Sequence, residues 1–124
     1  MAWTFNSTEA IFIQIAERLR QEILFGKYHP DDQIPAVRQL AFEASVNPNT
    51  MQKALACLEE EGILYTKSTL GRFVTNDVSL LERAKEKAKR DTVKNWLMQA
   101  EALSISTDEL INYINSIKKE DDNI

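Results

Sequence analysis

A single cysteine, Cys57, and a single histidine, His29, leave this chain without the residues for an internal disulfide or a zinc site, and no Cys–His pairing is read in the sequence. Such sparse thiol usage fits a reducing, cytoplasmic compartment. Cys57 is expected to be a small core or half-buried residue, and His29 to face solvent. No apolar run approaches the roughly 20 residues that span a bilayer. The first residues, MAWTFNSTEAIF, lack a basic segment followed by a continuous apolar stretch, so no secretion signal is read there. Carboxylate pairs in a cleft pattern, a phosphate loop and metal-ligand spacing are missing too. Neither a cofactor, a metal nor an enzymatic activity is therefore expected. Cations are also not in excess: 15 Lys and Arg against 19 Asp and Glu give a net charge of −4, which counts against a partner made of phosphates.

What is present is the composition of a folded protein. Hydrophobic residues make up 44% and charged residues 27%, too apolar for a disordered chain. The spacing predicts a first helix over residues 7–25, with Ile11, Ile15, Leu19 and Ile23 in a stripe that Phe12 and Ala16 broaden. Asn6 and Glu9 stand in capping-box register before it. A breaker-rich stretch, KYHPDDQ, follows. A short second helix over 35–44 opens at Pro35 and faces inward with Val37, Leu40 and Ala41. After a tight turn at Ser45 and Val46, Asn47 caps a third helix over 48–61, with Pro48 at its first position. Met51, Ala54, Leu55 and Leu58 form its core stripe, and Asn49, Gln52, Lys53 and Ala56 face the other way. The runs ILYTK and RFVT, separated by STLG, predict a hairpin over 63–75. A long helix over 79–103 and a last one from Ser106, with Glu109 in capping-box register, complete the chain.

Three segments carry the functional signal. They are QIAERLRQEILFGKYHPDDQIPAVRQLA, VNPNTMQKALACLEEEGIL and a hairpin ending in GRFV, in that order within residues 11–75. Together they resemble the winged helix-turn-helix of the GntR family of bacterial regulators. The short C-terminal region of two helices is similar to the YtrA-type branch. The resemblance implies a mainly α fold with a small β-hairpin wing: a winged helix-turn-helix over 1–77 and a helical dimerisation region over 78–124. It implies a sequence-specific transcription regulator, a repressor by expectation, that binds a pseudo-palindromic operator as a homodimer. The family's pattern departs here at Ala36, where serine is usual, and at Thr69, which replaces the first of two wing glycines. Ala10 stands where proline is common.

The residues support that reading on their own terms. A recognition helix presents its N-terminal residues to base edges in the major groove. Here those are Asn47, Pro48, Asn49, Thr50, Gln52 and Lys53. Asn and Gln amides donate and accept together and so can read adenine bidentately. Thr50 and the free N–H groups of the first turn are expected to hold phosphate. Arg38 on the second helix is expected to grip a phosphate across the groove. Lys67, Ser68, Thr69, Gly71 and Arg72 form the wing at the duplex flank, where Gly71 lets backbone approach closely. Residues 1–78 carry 7 basic and 10 acidic side chains and residues 79–124 carry 8 and 9, so the DNA reading depends on where the charges sit. Glu59, Glu60 and Glu61 fall at the far end of the third helix. Four cations per protomer give about eight phosphate contacts per dimer and a slope of log affinity on log salt near −7.

Two C-terminal helices are too little to bury both of their apolar faces alone. The dimer face is expected to comprise Leu81, Ala84, Ala88, Trp96, Ala100, Leu103, Leu110, Ile114 and Ile117. A small-molecule effector would bind at that interface or between domains. The competing reading, prompted by the acidic total, is a winged helix that binds a protein partner and no DNA.

Overall fold

Apolar residues three and four apart build helices where that spacing predicts them, and turn residues break them. The computed structural model describes residues 3–122. Its elements are α1 (Ile11–Leu24), α2 (Val37–Ala44), α3 (Pro48–Glu60), β1 (Leu64–Lys67), β2 (Gly71–Val74), α4 (Val78–Ala102) and α5 (Thr107–Asp122). The chain divides into two units within α4, Met1–Lys85 and Glu86–Ile124.

In the first unit one core joins three helices and a hairpin. Ile15, Ala16, Leu19 and Ile23 of α1 meet Leu40, Ala41 and Ala44 of α2 and Met51, Ala54, Leu55 and Leu58 of α3. The four α3 residues have no exposed surface. At about 1.5–3 kcal/mol for each large apolar side chain buried, this layer fixes the back of α3 and leaves its front to solvent. Leu80, Leu81 and Ala84 also pack on this core, which is why the first unit runs on to Lys85.

Helix α1 starts at Ile11, four residues later than the spacing predicts, and Ile11 stays exposed. The reason lies in Asn6. Its side-chain oxygen accepts from the Thr8 N–H (3.1 Å) and the Thr8 hydroxyl (2.8 Å), a local turn that competes with helix. No side chain caps α1. Gln14 reaches back instead, donating to the carbonyls of Asn6 (3.0 Å) and Glu9 (2.8 Å). Helix α2 likewise begins at Val37 rather than Pro35, with Ala36 in the capping position.

The hairpin pairs Leu64 with Val74, Tyr65 with Phe73, Thr66 with Arg72 and Lys67 with Gly71. A segment the sequence presents as turn runs along the other edge of β2. The Asp31 N–H donates to the Val74 carbonyl (2.9 Å), the Val74 N–H to Asp32 (2.8 Å) and the Ile34 N–H to Arg72 (3.0 Å). Buried Ile34 anchors that segment, and the wing is thereby held on both edges of β2.

The second unit holds the rest of α4, a turn in which Ser104 takes φ +60°, and α5. Here the expected capping box forms. The Glu109 N–H donates to Ser106 Oγ (3.2 Å), and the Ser106 N–H to Glu109 Oε1 (3.3 Å). Among its described residues only Ala100 is a buried hydrophobic. No helix among the described residues is long and apolar enough to cross a membrane.

Candidate nucleic-acid interface

Asn47 sets the start of α3. Its side-chain oxygen accepts from the Asn49 N–H at 2.7 Å, and Pro48, which has no N–H, occupies the first turn. The Thr50 and Met51 N–H groups donate to the Asn47 carbonyl at 3.0 and 3.1 Å. The N–H groups expected to be free for phosphate at this end are therefore engaged within the helix. The donors that α3 presents are side chains. Asn47, Pro48, Asn49, Gln52 and Lys53 are exposed, and Thr50 is half-buried. These residues share one face because Met51, Ala54, Leu55 and Leu58 take the other. The Lys53 ammonium lies 5.8 Å from the Phe12 ring centroid, which rests it against α1.

Arg38 stands in the first turn of α2, exposed, with no ion pair or hydrogen bond among the described residues. No side chain caps that end, and no hydrogen bond among the described residues takes the N–H groups of Val37, Arg38 or Gln39. With Ala36 in place of a hydroxyl, α2 rather than α3 is the helix whose N-terminal donors remain open.

The wing turns through Ser68, Thr69 and Leu70, all exposed along with Lys67. Ser68 takes φ +52°, and the Leu70 N–H closes the turn on the Lys67 carbonyl at 3.0 Å. Gln33 clamps the tip by donating its side-chain amide to the Leu70 carbonyl at 2.6 Å. Gly71 has φ +126°, and a Cβ there would lie 2.9 Å from Gln33 Nε2. The close approach Gly71 permits is thus that of Gln33, a residue the sequence gives no reason to single out. On the hairpin's other face Tyr65 stacks on Phe73 with centroids 5.8 Å apart. Lys67 Nζ lies 5.8 Å from the Phe73 ring. The Tyr65 hydroxyl donates to Asp31 Oδ1 at 2.9 Å, a bond that favours the neutral phenol and raises its pKa.

Arg72 is placed differently from the other wing residues. It alternates onto the side of Leu64 and Val74, and its guanidinium Nε donates to Glu59 of α3. Its side chain is only 16% exposed. Glu61 is held by Arg20 of α1 through two bonds of 2.8 and 2.6 Å. Two of the three glutamates that end α3 are thus paired, and the run begins ten residues beyond Asn49, roughly 15 Å along the helix axis. These three carboxylates thus lie at the end of α3 away from Asn47 and Asn49.

On the dimer side, Leu81 is buried in the first unit's core and Ala84 is half-buried against it. Ala100 is buried. Ala88 and Leu110 are half-buried. Trp96, Leu103, Ile114 and Ile117 remain open to solvent, from 39% to 74% exposed. Val93, Met98, Ile111 and Tyr113, outside the expected dimer face, are exposed as well.

Comparison with known proteins bears on this geometry. The profile of the family described as "Bacterial regulatory proteins, gntR family" matches residues 13–74. The chain is 30% identical over 113 residues to the HTH-type transcriptional repressor YtrA of Bacillus subtilis, covering 90% of this chain and 87% of that one. Its structure is similar to that of a GntR family transcriptional regulator from Listeria monocytogenes, with a TM-score of 0.83, 30% identity and coverage of 90% and 98% of the two chains. It is also similar to the AraR DNA-binding domain in complex with operator ORX1, with a TM-score of 0.54, 26% identity and coverage of 60% and 95%.

Proposed function

The chain belongs to the gntR family of bacterial regulatory proteins and is a winged-helix DNA-binding transcription regulator, and from that premise we propose that it is a repressor acting as a homodimer on a pseudo-palindromic operator. The observation that carries this reading is the exposed front of α3. Asn47, Asn49, Gln52 and Lys53 are exposed over a back face with no exposed surface, and Arg38 of α2 is exposed with no partner among the described residues. In this reading α3 enters the major groove, with Asn49 and Gln52 reading base edges and Lys53 reaching the backbone or a guanine. Arg38 and the open N–H groups of α2 grip phosphate. The wing lies along the duplex flank with Lys67, Ser68 and Thr69. The repressor role is supported by the name of the Bacillus subtilis relative, and operator binding by the AraR complex. Action on DNA supports a cytoplasmic location.

Two copies offer two α3 helices to half-sites about one helical turn, roughly 34 Å, apart. The C-terminal units supply the pairing, through Trp96, Leu103, Ile114 and Ile117. With Arg72 paired internally, each protomer presents Arg38, Lys53 and Lys67. About six phosphate contacts per dimer then give a salt slope near −5.

Selection of duplexes from a randomised pool, followed by affinity measurement across salt concentrations, tests the reading. A single enriched motif with two-fold symmetry is expected. Arg38→Ala should weaken binding to every sequence and flatten the salt slope by about 2 per dimer. Unchanged affinity and slope for that variant would remove the assigned face. Capture of no duplex at any salt would favour the protein-binding alternative.

A further inference from the structure

Resting on the assignment of α3 and the wing as the DNA-contacting elements, we propose that Glu59 and Arg72 form a positioning clamp that sets the wing against α3, and that Arg72 holds no phosphate. One carboxylate oxygen carries the arrangement. Glu59 Oε1, in the last turn of α3, accepts from Arg72 Nε on β2 and from the Thr66 hydroxyl on β1, the latter at 2.9 Å. Thr66 and Arg72 are opposite one another in the hairpin, so a single side chain of α3 grips both strands at the same level.

The clamp sits where it can act on geometry. Glu59 and Arg72 are 31% and 16% exposed, which lowers the local dielectric and strengthens a charge-assisted bond. The second edge of β2 is fixed separately by residues 31–34, and the tip by Gln33. Of these contacts, only those of Glu59 tie the side chains of both strands to α3. They also cancel a wing charge. A freed Arg72 would add sequence-independent attraction to phosphate, whereas the paired one adds none, so the clamp favours discrimination over bulk affinity. Lys67, on the opposite side of the hairpin, remains the wing's cation for the backbone.

The experiment compares wild type, Arg72→Ala, Glu59→Ala and the double variant, all as full-length chains. Each is titrated with the duplex recovered by selection and with a shuffled duplex of the same length, across a range of salt. The clamp predicts that each single variant loses several-fold affinity for the selected duplex, while for the shuffled duplex Arg72→Ala loses less and Glu59→Ala, which frees Arg72, gains. The double variant loses no more than the worse single, since the two residues act as one unit. Arg72→Ala keeps the wild-type salt slope. Should either alanine variant lower the folded fraction, Thr66→Val removes one donor with little change of shape. It should give a smaller loss with the same slope. A slope flattened by about 0.9 per protomer in Arg72→Ala would show that Arg72 holds a phosphate and overturn the clamp. Additive losses, or an unchanged ratio between the two duplexes in folded variants, would overturn it as well. A wild type that binds no duplex ends the DNA reading itself, an outcome distinct from all of these.

Discussion

At the scale of single residues, Gly71 shows how a wing glycine can serve the protein before it serves DNA. Its φ of +126° is strained for any L side chain, and a Cβ would press on Gln33 Nε2 at 2.9 Å. Gly71→Ala should therefore lose the Gln33 bond to the Leu70 carbonyl and destabilise the domain by about 1–3 kcal/mol. Urea unfolding should show a lower midpoint with an unchanged slope. Unaltered stability would mean that the tip relaxes freely and that Gln33 fixes nothing. Asn47 was legible at this scale because capping is local: the donor lies two residues away, and Pro48 announces the helix start. Arg72 was not. Its partner Glu59 is 13 residues distant, and only strand alternation decides that Arg72 faces α3 rather than solvent. A cation in a wing motif looks the same in sequence whether it faces DNA or a glutamate.

At the scale of elements, α1 and α3 are tied by Arg20. Its guanidinium donates to both oxygens of Glu61, at 2.8 and 2.6 Å, and to Glu17 at 2.6 Å. The side chains are 22% and 40% exposed, so solvent screens the pair in part. Arg20→Ala should cost about 1 kcal/mol, the upper end for a partly exposed pair with good geometry. A double-mutant cycle with Glu61→Ala should find most of that loss shared. Independent, additive losses would mean that the bond orients nothing. The helices themselves were legible because periodicity of buried side chains repeats over three or four turns. Their starts were less so: a polar residue such as Asn6 can cap a helix or close a turn of its own, and its Thr8 bonds decide for the turn. The pairing of residues 31–34 on β2 was hidden for a related reason. Prolines and aspartates signal a turn, yet the contact that orders this segment is with Val74, some forty residues on.

At the scale of the whole molecule, the proposed homodimer rests on how little apolar surface the second unit buries by itself. Its two helical segments offer little surface to one another, and two helices alone make a poor core. It has no cysteine and no histidine, and Ala100 is its one buried hydrophobic among the described residues. Meanwhile Trp96, Leu103, Ile114 and Ile117 keep between 39% and 74% of their surface in water. A second copy of the same unit can cover such a face by symmetry, with each stripe lying on its own image. The pairing should then fail when a charge enters the stripe. Ile114→Asp, which on a single copy stays solvated, should yield a monomer by light scattering at micromolar concentration, with the unfolding of the first unit unchanged. Operator affinity should fall steeply, and the salt slope should halve to about −2.5, since one α3 and one Arg38 then engage each duplex. A dimer that persists in Ile114→Asp would place the pairing surface elsewhere. A monomer with undiminished operator affinity would show that the two half-sites are read independently, and the case for a two-fold operator would go with it.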